Sequence, residues 1–136
     1  MSNNDKVSIL GSKISIWDCD ETVTKLLLLA RSNERHYVCV SNVHTVVSGK
    51  FDSDLRQVTN NATIATADGV PLIWASRILR GPNILGRASG PDIMLKLLAY
   101  PSQNKLRHYF YGSLPATLDK LRQMITTKFP EIQLAG

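Results

Sequence analysis

Short apolar runs alternate with stretches in which apolar residues repeat at helical spacing, and this alternation constrains the fold more than any other feature of the chain. The strand-like runs lie at 37–40, 63–67, 107–111 and 132–134. Strands that alternate with helices are typical of a parallel sheet, because each helix returns the chain to the same edge. The sequence therefore predicts an α/β fold with a Rossmann-like, mainly parallel sheet and flanking helices.

The N-terminal region departs from this alternation. Two β-prone runs, 7–10 and 13–17, are separated by Gly11-Ser12, which is typical of a β-hairpin. Asp18 then begins a helical pattern as its expected N-cap. We expect an N-terminal β-hairpin ahead of the α/β part.

Size and charge restrict the class of protein. A chain of 136 residues suits one domain, 1–136, since it can bury roughly two thirds of its unfolded surface. The formal charge of +5 favours anionic partners, namely a nucleotide diphosphate, acidic lipid headgroups or nucleic acid.

The longest aliphatic stretch, 26–30, falls far short of the roughly 20 residues that cross a bilayer, and we expect a cytoplasmic protein. Cys19 and Cys39 lack metal-ligand spacing, so we interpret them as buried, reduced thiols.

Asp68-Gly69 directly follows the apolar run 63–67 and precedes a helical pattern. Open α/β sheets gather their ligands at the carboxyl ends of the strands, which is where this carboxylate is expected to lie. Asp68 is therefore a candidate catalytic base. The alternative is that it only shapes a strand-to-helix turn, where Asp-Gly is common.

Five segments together resemble the WecG/TagA/CpsF glycosyltransferases, glycosyltransferase family 26, over nearly the whole chain. They are Ser41-Asn42-Val43-His44, Ala67-Asp68-Gly69-Val70-Pro71, Gly86-Arg87-Ala88-Ser89-Gly90-Pro91-Asp92, Tyr111-Gly112-Ser113 and Phe129-Pro130-Glu131. The resemblance implies transfer of a sugar, often N-acetylmannosamine or its uronic acid, from a UDP donor. The implied acceptor is a sugar linked to undecaprenyl diphosphate, and the implied process is cell-wall or surface-polysaccharide synthesis.

Three residues match the catalytic positions of this family. The resemblance implies an inverting displacement, in which Asp68 removes the acceptor hydroxyl proton while that oxygen attacks the anomeric carbon. Arg87 matches a loop arginine that can stabilise the departing diphosphate, with a solvated loop arginine as the alternative. Asn42 matches an asparagine that orients Asp68 or a sugar hydroxyl, although a helix N-cap explains it equally well.

Further residues of these segments are expected to contact the substrates. Glycine permits close approach of backbone to ligand, whereas a helix-surface histidine is the alternative for His44. Val40 stands where many relatives carry threonine, so any hydroxyl contact there is lost or is moved to Ser41. The expected substrate-binding residues are Ser41, His44, Gly69, Gly86, Gly90, Asp92 and Gly112.

Two Asp-x-Asp strings, 18–20 and 52–54, resemble the metal-diphosphate signature of other glycosyltransferases. Both stand at the start of helical patterns, so N-capping and the helix dipole explain them without a metal. We expect neither a metal nor a cofactor.

The resemblance also implies strands, a glutamine-bearing site loop and a basic membrane-docking segment beyond Gly136. We therefore expect a C-terminally truncated core that attaches weakly to the inner face of the cell membrane and turns over poorly. An uncovered strand edge or apolar helix face would favour association with a second copy. The alternative function is a non-catalytic nucleotide-sugar-binding module on the same scaffold. A nucleic-acid-binding domain is disfavoured, because no RNA- or DNA-binding signature accompanies the charge.

Overall fold

The computed structural model describes residues 5–100 and 106–136 and confirms the α/β class. The described residues form two compact units, which lie within Met1–Met94 and Leu95–Gly136. The elements in chain order are β1 (Lys6–Ile9), β2 (Ser12–Ser15), α1 (Cys19–Leu29), β3 (Val38–Ser41), α2 (Val43–Phe51), α3 (Ser53–Asn61), β4 (Ile64–Ala67), α4 (Val70–Ile78), α5 (Gly90–Leu98), β5 (Arg107–His108), α6 (Pro115–Lys128) and β6 (Gln133–Leu134).

The predicted N-terminal hairpin is confirmed, with its turn shifted by one residue. Strands β1 and β2 are antiparallel, and Ile9 lies opposite Ser12. The two connecting residues are therefore Leu10 and Gly11, not Gly11 and Ser12. Both adopt positive φ, 50° at Leu10 and 87° at Gly11, which is the pattern of the tight turns that match the twist of paired strands. Only Gly11 adopts this conformation without steric cost.

Strands β3 and β4 are parallel, in register from Val38 opposite Ile64 to Ser41 opposite Ala67. All four residues of β4 are buried, as expected for a strand covered on both faces. The hairpin lies beside β4, where the Ala65 amide donates to Ser15 Oγ at 3.2 Å. Within the described residues the parallel strands form two separate pairs, β3 with β4 and β5 with β6, and not one continuous sheet.

The core of the first unit lies between the hairpin, β4 and the helices that cover them. Its buried side chains are aliphatic, and they are Val7, Ile9, Ile14, Val46, Ala65, Ala67, Leu72, Ile73 and Ile84. Cys19 and Cys39 are both reduced and are partly, not fully, buried. Burial raises the pKa of the Cys39 thiol.

Helix α5 begins earlier than its apolar spacing predicts. The sequence indicates a helix from residue 92, but Gly90 and Pro91 form its first turn. Proline is tolerated there because the first amide groups of a helix have no partner within the helix. Helix α4 likewise accommodates Pro71 in its first turn.

The second unit contains β5, α6 and β6. Strand β5 comprises only two of the five residues predicted from the run 107–111, and it pairs in parallel with β6. Gly112 and Ser113 adopt positive φ, 112° and 68°, so the chain turns before α6.

Among the helices that the structure describes, none has the length and apolar character needed to cross a bilayer.

Candidate active site

Three predicted site segments of the first unit meet at the carboxyl ends of β3 and β4. The Asp68 amide donates to the Ser41 carbonyl at 2.8 Å, which joins the residues that follow the two strands. The Ala88 amide donates to the Ala67 carbonyl at 2.9 Å, which brings in the loop 86–89. The structure therefore gathers segments that are up to 47 residues apart in the chain, from 41 to 88.

Asp68 lies at the centre of this edge and is partly buried. Within the described part of the chain its carboxylate has neither a hydrogen bond nor an ion pair. Gly69 follows as the N-terminal boundary of α4, and it supplies no side-chain cap. A carboxylate at this position is available to accept a proton from a bound molecule.

Asn42 is the N-cap of α2. Its Oδ1 accepts from the Thr45 amide at 2.9 Å and from Thr45 Oγ1 at 3.2 Å. The N-cap interpretation is thus confirmed. Because the cap uses only the oxygen, the side-chain amide of this exposed residue keeps its donors for other contacts. His44 is also exposed, in the first turn of the same helix.

Arg87 is tethered within its own loop. Its Nη2 donates to Asp92 Oδ2 at 2.9 Å, and the two side chains are 53% and 47% exposed. Ser89 Oγ donates to the same carboxylate oxygen. The Ser89 carbonyl accepts from the Ile93 amide at 3.0 Å, which places Ser89 at the start of α5. Asp92 therefore fixes the direction of the guanidinium while leaving its other donors available.

Gly86 and Asp18 are in close contact, which the sequence did not reveal. A side chain at position 86 would place its Cβ 2.9 Å from the Asp18 Cβ. Asp18 caps α1, because its Oδ1 accepts from the Glu21 amide at 2.9 Å. The two segments are joined by the Leu85 amide, which donates to the Ile16 carbonyl at 2.7 Å. The need for glycine at position 86 thus has a packing explanation, and Asp18 joins the candidate site.

Three predicted substrate-binding residues remain, and each lies in a different environment. Gly90 lies against Val40, whose Cγ1 would be 3.7 Å from a Cβ at position 90, and Val40 is 45% exposed. Ser41 is fully buried, and its hydroxyl is without a hydrogen-bond partner among the residues described. The Thr66 hydroxyl, on the adjacent strand, is also buried and has no hydrogen-bond partner among the residues described. Gly112 belongs to the second unit, where its φ of 112° requires glycine.

Four helices begin at this edge: α1 at Asp18, α2 at Asn42, α4 at Gly69 and α5 beside Ser89. Each helix N-terminus carries a partial positive charge, together with first-turn amide groups that have no partner within the helix, and caps pair one of these at α1 and at α2. Convergent N-termini therefore favour an anion, and a diphosphate supplies several acceptor oxygens. The arrangement combines four helix N-termini with one unpaired carboxylate, that of Asp68.

The two Asp-x-Asp strings act as helix caps. Asp52 Oδ1 accepts from the amides of Asp54 and Leu55, both at 3.0 Å, and so caps α3, while Asp18 caps α1. Over residues 5–100 and 106–136, no three His, Cys, Asp or Glu side chains cluster in a way that could hold a metal ion.

Comparison with known proteins adds to this geometry. The model of the glycosyl transferase WecG/TagA/CpsF family matches residues 7–136. The chain is also similar to the N-acetylglucosaminyldiphosphoundecaprenol N-acetyl-beta-D-mannosaminyltransferase of Bacillus subtilis (strain 168), with 23% identity. This similarity covers 76% of the chain and 43% of the relative, so the chain spans less than half of that enzyme's length.

Proposed function

The chain belongs to the WecG/TagA/CpsF family of glycosyl transferases, and from this membership we propose a specific reaction for it. The donor is a UDP-linked hexose of the N-acetylmannosamine type, and the acceptor is a sugar linked to undecaprenyl diphosphate. The name of the Bacillus subtilis relative supports a mannosaminyl group and an undecaprenol-linked acceptor. The reaction contributes to cell-wall or surface-polysaccharide synthesis.

The observation that carries this proposal is the unpaired Asp68 carboxylate at an edge where four helices begin. The helix N-termini suit the negative charge of a nucleotide diphosphate. The Asp68 carboxylate would repel the diphosphate and so does not serve as its ligand. It can instead take the proton of the acceptor hydroxyl. An edge that favours anions, with a base beside it, suits the transfer of a sugar from a diphosphate donor to a hydroxyl group.

The chemistry is a single displacement with inversion at the anomeric carbon. The acceptor oxygen bonds to that carbon as its proton passes to Asp68. The bond between the anomeric carbon and the diphosphate oxygen breaks, and UDP departs with the electron pair. Arg87 donates to the diphosphate oxygens from the position that Asp92 fixes, and so stabilises the charge that develops there.

Asn42 orients the sugar that lies between these groups. Its Oδ1 is fixed by Thr45, so its side-chain amide points in a defined direction and donates to a sugar hydroxyl or to Asp68. His44 and the backbone at Gly69 and Gly90 complete the contacts to the substrates.

The acceptor sets the cellular location that we propose. A lipid-linked sugar is held in a bilayer, so the protein works at the inner face of the cell membrane as a peripheral protein. We also propose that residues 1–136 form one glycosyltransferase core and that this core associates with itself.

Calorimetric titration with UDP, combined with a transfer assay, tests this proposal. The chain is expected to bind UDP and to transfer N-acetylmannosamine to N-acetylglucosaminyl-diphosphoundecaprenol, with the Bacillus subtilis relative as the positive control. Binding without transfer would support the alternative, a nucleotide-sugar-binding module. Binding of neither UDP nor UDP-sugars would refute both.

A further inference from the structure

An apolar side chain, that of Val40, lies at the edge where the candidate site forms. Val40 is the next-to-last residue of β3 and is 45% exposed, whereas all four residues of the adjacent strand β4 are buried. Single exposed apolar residues are common on protein surfaces, so exposure alone assigns Val40 no role. Its neighbours, however, place it beside the proposed reaction centre.

Val40 shares one face of the β3–β4 pair with Thr66 and Asp68. Val40 lies directly opposite Thr66, and residues paired in this way have their side chains on the same face of the sheet. The Asp68 amide continues the ladder one residue beyond β4, through its bond to the Ser41 carbonyl at 2.8 Å. Because side chains alternate along a strand, Asp68 lies on the Thr66 face, about 6.6 Å further along. Val40 and the proposed base are therefore neighbours on one surface.

The start of α5 covers part of this surface. A Cβ at Gly90, the first residue of α5, would lie 3.7 Å from Val40 Cγ1 and 3.8 Å from Val40 Cγ2. The loop that leads into α5 carries Arg87, which the proposed reaction assigns to the departing diphosphate. That diphosphate is bonded to the anomeric carbon of the donor, so the donor sugar lies between Arg87 and Asp68. Under the proposed function, Val40 borders the donor sugar.

The exposed methyl groups of Val40 restrict which part of a sugar they can contact. They neither donate nor accept hydrogen bonds, so a sugar hydroxyl that they cover loses a partner in water. A methyl group, by contrast, gains from being removed from water. In N-acetylmannosamine the acetamido group is carried by the carbon next to the anomeric carbon, and it ends in the methyl group of that sugar. This methyl group is the part of the donor sugar that matches Val40.

We propose that Val40 is a specificity-determining residue for the donor, and that its methyl groups pack against the methyl group of the acetamido substituent. The inference rests on the proposed function, because that function supplies the donor sugar. It assigns the preference for an N-acetylated sugar to one side chain. Val40 contacts none of the reacting atoms, so its replacement should change donor affinity and not the chemical step.

Calorimetry with UDP, UDP-N-acetylmannosamine and UDP-N-formylmannosamine tests this inference without requiring turnover. The N-formyl sugar lacks only the methyl group, so the comparison isolates the proposed contact. The wild-type chain is expected to bind the N-acetyl sugar roughly fourfold more tightly, the ratio that corresponds to burial of one methyl group. Val40→Thr exchanges one methyl group for a hydroxyl, and it should reduce this ratio to about twofold or less while UDP affinity is unchanged.

The variants at position 40 should fold. The hydroxyl of Val40→Thr would be partly exposed, and it would lie on the same face as the Thr66 hydroxyl, which has no partner among the residues described. Val40→Ala, which removes both Cγ atoms, is the second variant and should bind the two sugars equally. The matched control is Val58→Thr, the same change at a 53% exposed position on α3. It should bind all three ligands as the wild type does.

Equal affinity of the wild type for the N-acetyl and N-formyl sugars would overturn the inference, as would a preference that both variants at position 40 retain. A loss of UDP affinity as large as the loss of N-acetyl sugar affinity would also overturn it, because Val40 would then support the nucleotide site or the fold. Each of these results leaves the proposed function standing. Absence of binding to UDP and to both sugars would instead refute the proposed function, and the inference with it.

Discussion

Replacement of Arg87 by alanine should separate binding from stability. The ion pair between Arg87 and Asp92 is about half exposed at both side chains, so its loss should lower the free energy of unfolding by only about 0.2–1 kcal/mol. A charge-assisted hydrogen bond to a diphosphate oxygen is worth about 1.5–3 kcal/mol. UDP should therefore bind roughly 10- to 150-fold more weakly to Arg87→Ala.

Calorimetric titration measures the affinity for UDP, and urea unfolding measures the free energy of unfolding. Arg35→Ala is the matched control, because Arg35 is an exposed arginine that precedes β3, at the end of the strand opposite to Asn42. The control should retain its UDP affinity. Unchanged affinity in Arg87→Ala would remove Arg87 from the site, and a weakening that is matched by loss of the fold would make its role structural.

Three further predictions concern local contacts. Asn42→Ala should lower the free energy of unfolding in urea by about 0.5–2 kcal/mol, whereas Asn42→Asp should retain it, because both Asn and Asp can cap α2; equal losses would contradict the cap. Gly86→Ala should lower that free energy by about 1–3 kcal/mol, since the new Cβ meets Asp18, and a rise in melting temperature would contradict this. Burial lowers the pKa of His108, so the unfolded histidine binds a proton at a higher pH than the folded one. The second unit should therefore lose stability as the pH falls below about 6.5, the ordinary pKa of histidine. Hydrogen exchange at pH 5 and at pH 8 should show this loss in the wild type, and the loss should be absent in His108→Gln.

The α/β class was predictable because each element carries its own local signal. The buried strand β4 follows from its apolar run, and the starts of α1 and α2 follow from Asp18 and Asn42, which cap them. Boundaries were less predictable. The hairpin turn includes Leu10, whose positive φ no local preference of leucine favours. Packing of the paired strands, and not turn propensity, sets that register.

The meeting of the site segments was predictable from the rule that parallel strands end at one edge. The structure brings the residues after β3 and β4 together, as expected for Asn42 and Asp68. The contact between Asp18 and Gly86 was not predictable, because it joins residues 68 positions apart through packing alone, from 18 to 86. The tether of Arg87 by Asp92 depends on where α5 begins, and that start was predicted two residues too late.

Asp68→Asn tests the central claim most directly, because it removes the proposed base while changing the side chain by one atom. Transfer from UDP-N-acetylmannosamine to the undecaprenyl-diphosphate-linked acceptor and UDP binding should be measured on the same preparations. We predict that kcat falls roughly 10²- to 10⁴-fold, as expected for loss of a general base, while UDP affinity stays unchanged. Retained turnover would contradict the account, and an equal loss of UDP binding would make Asp68 a donor-binding or structural residue.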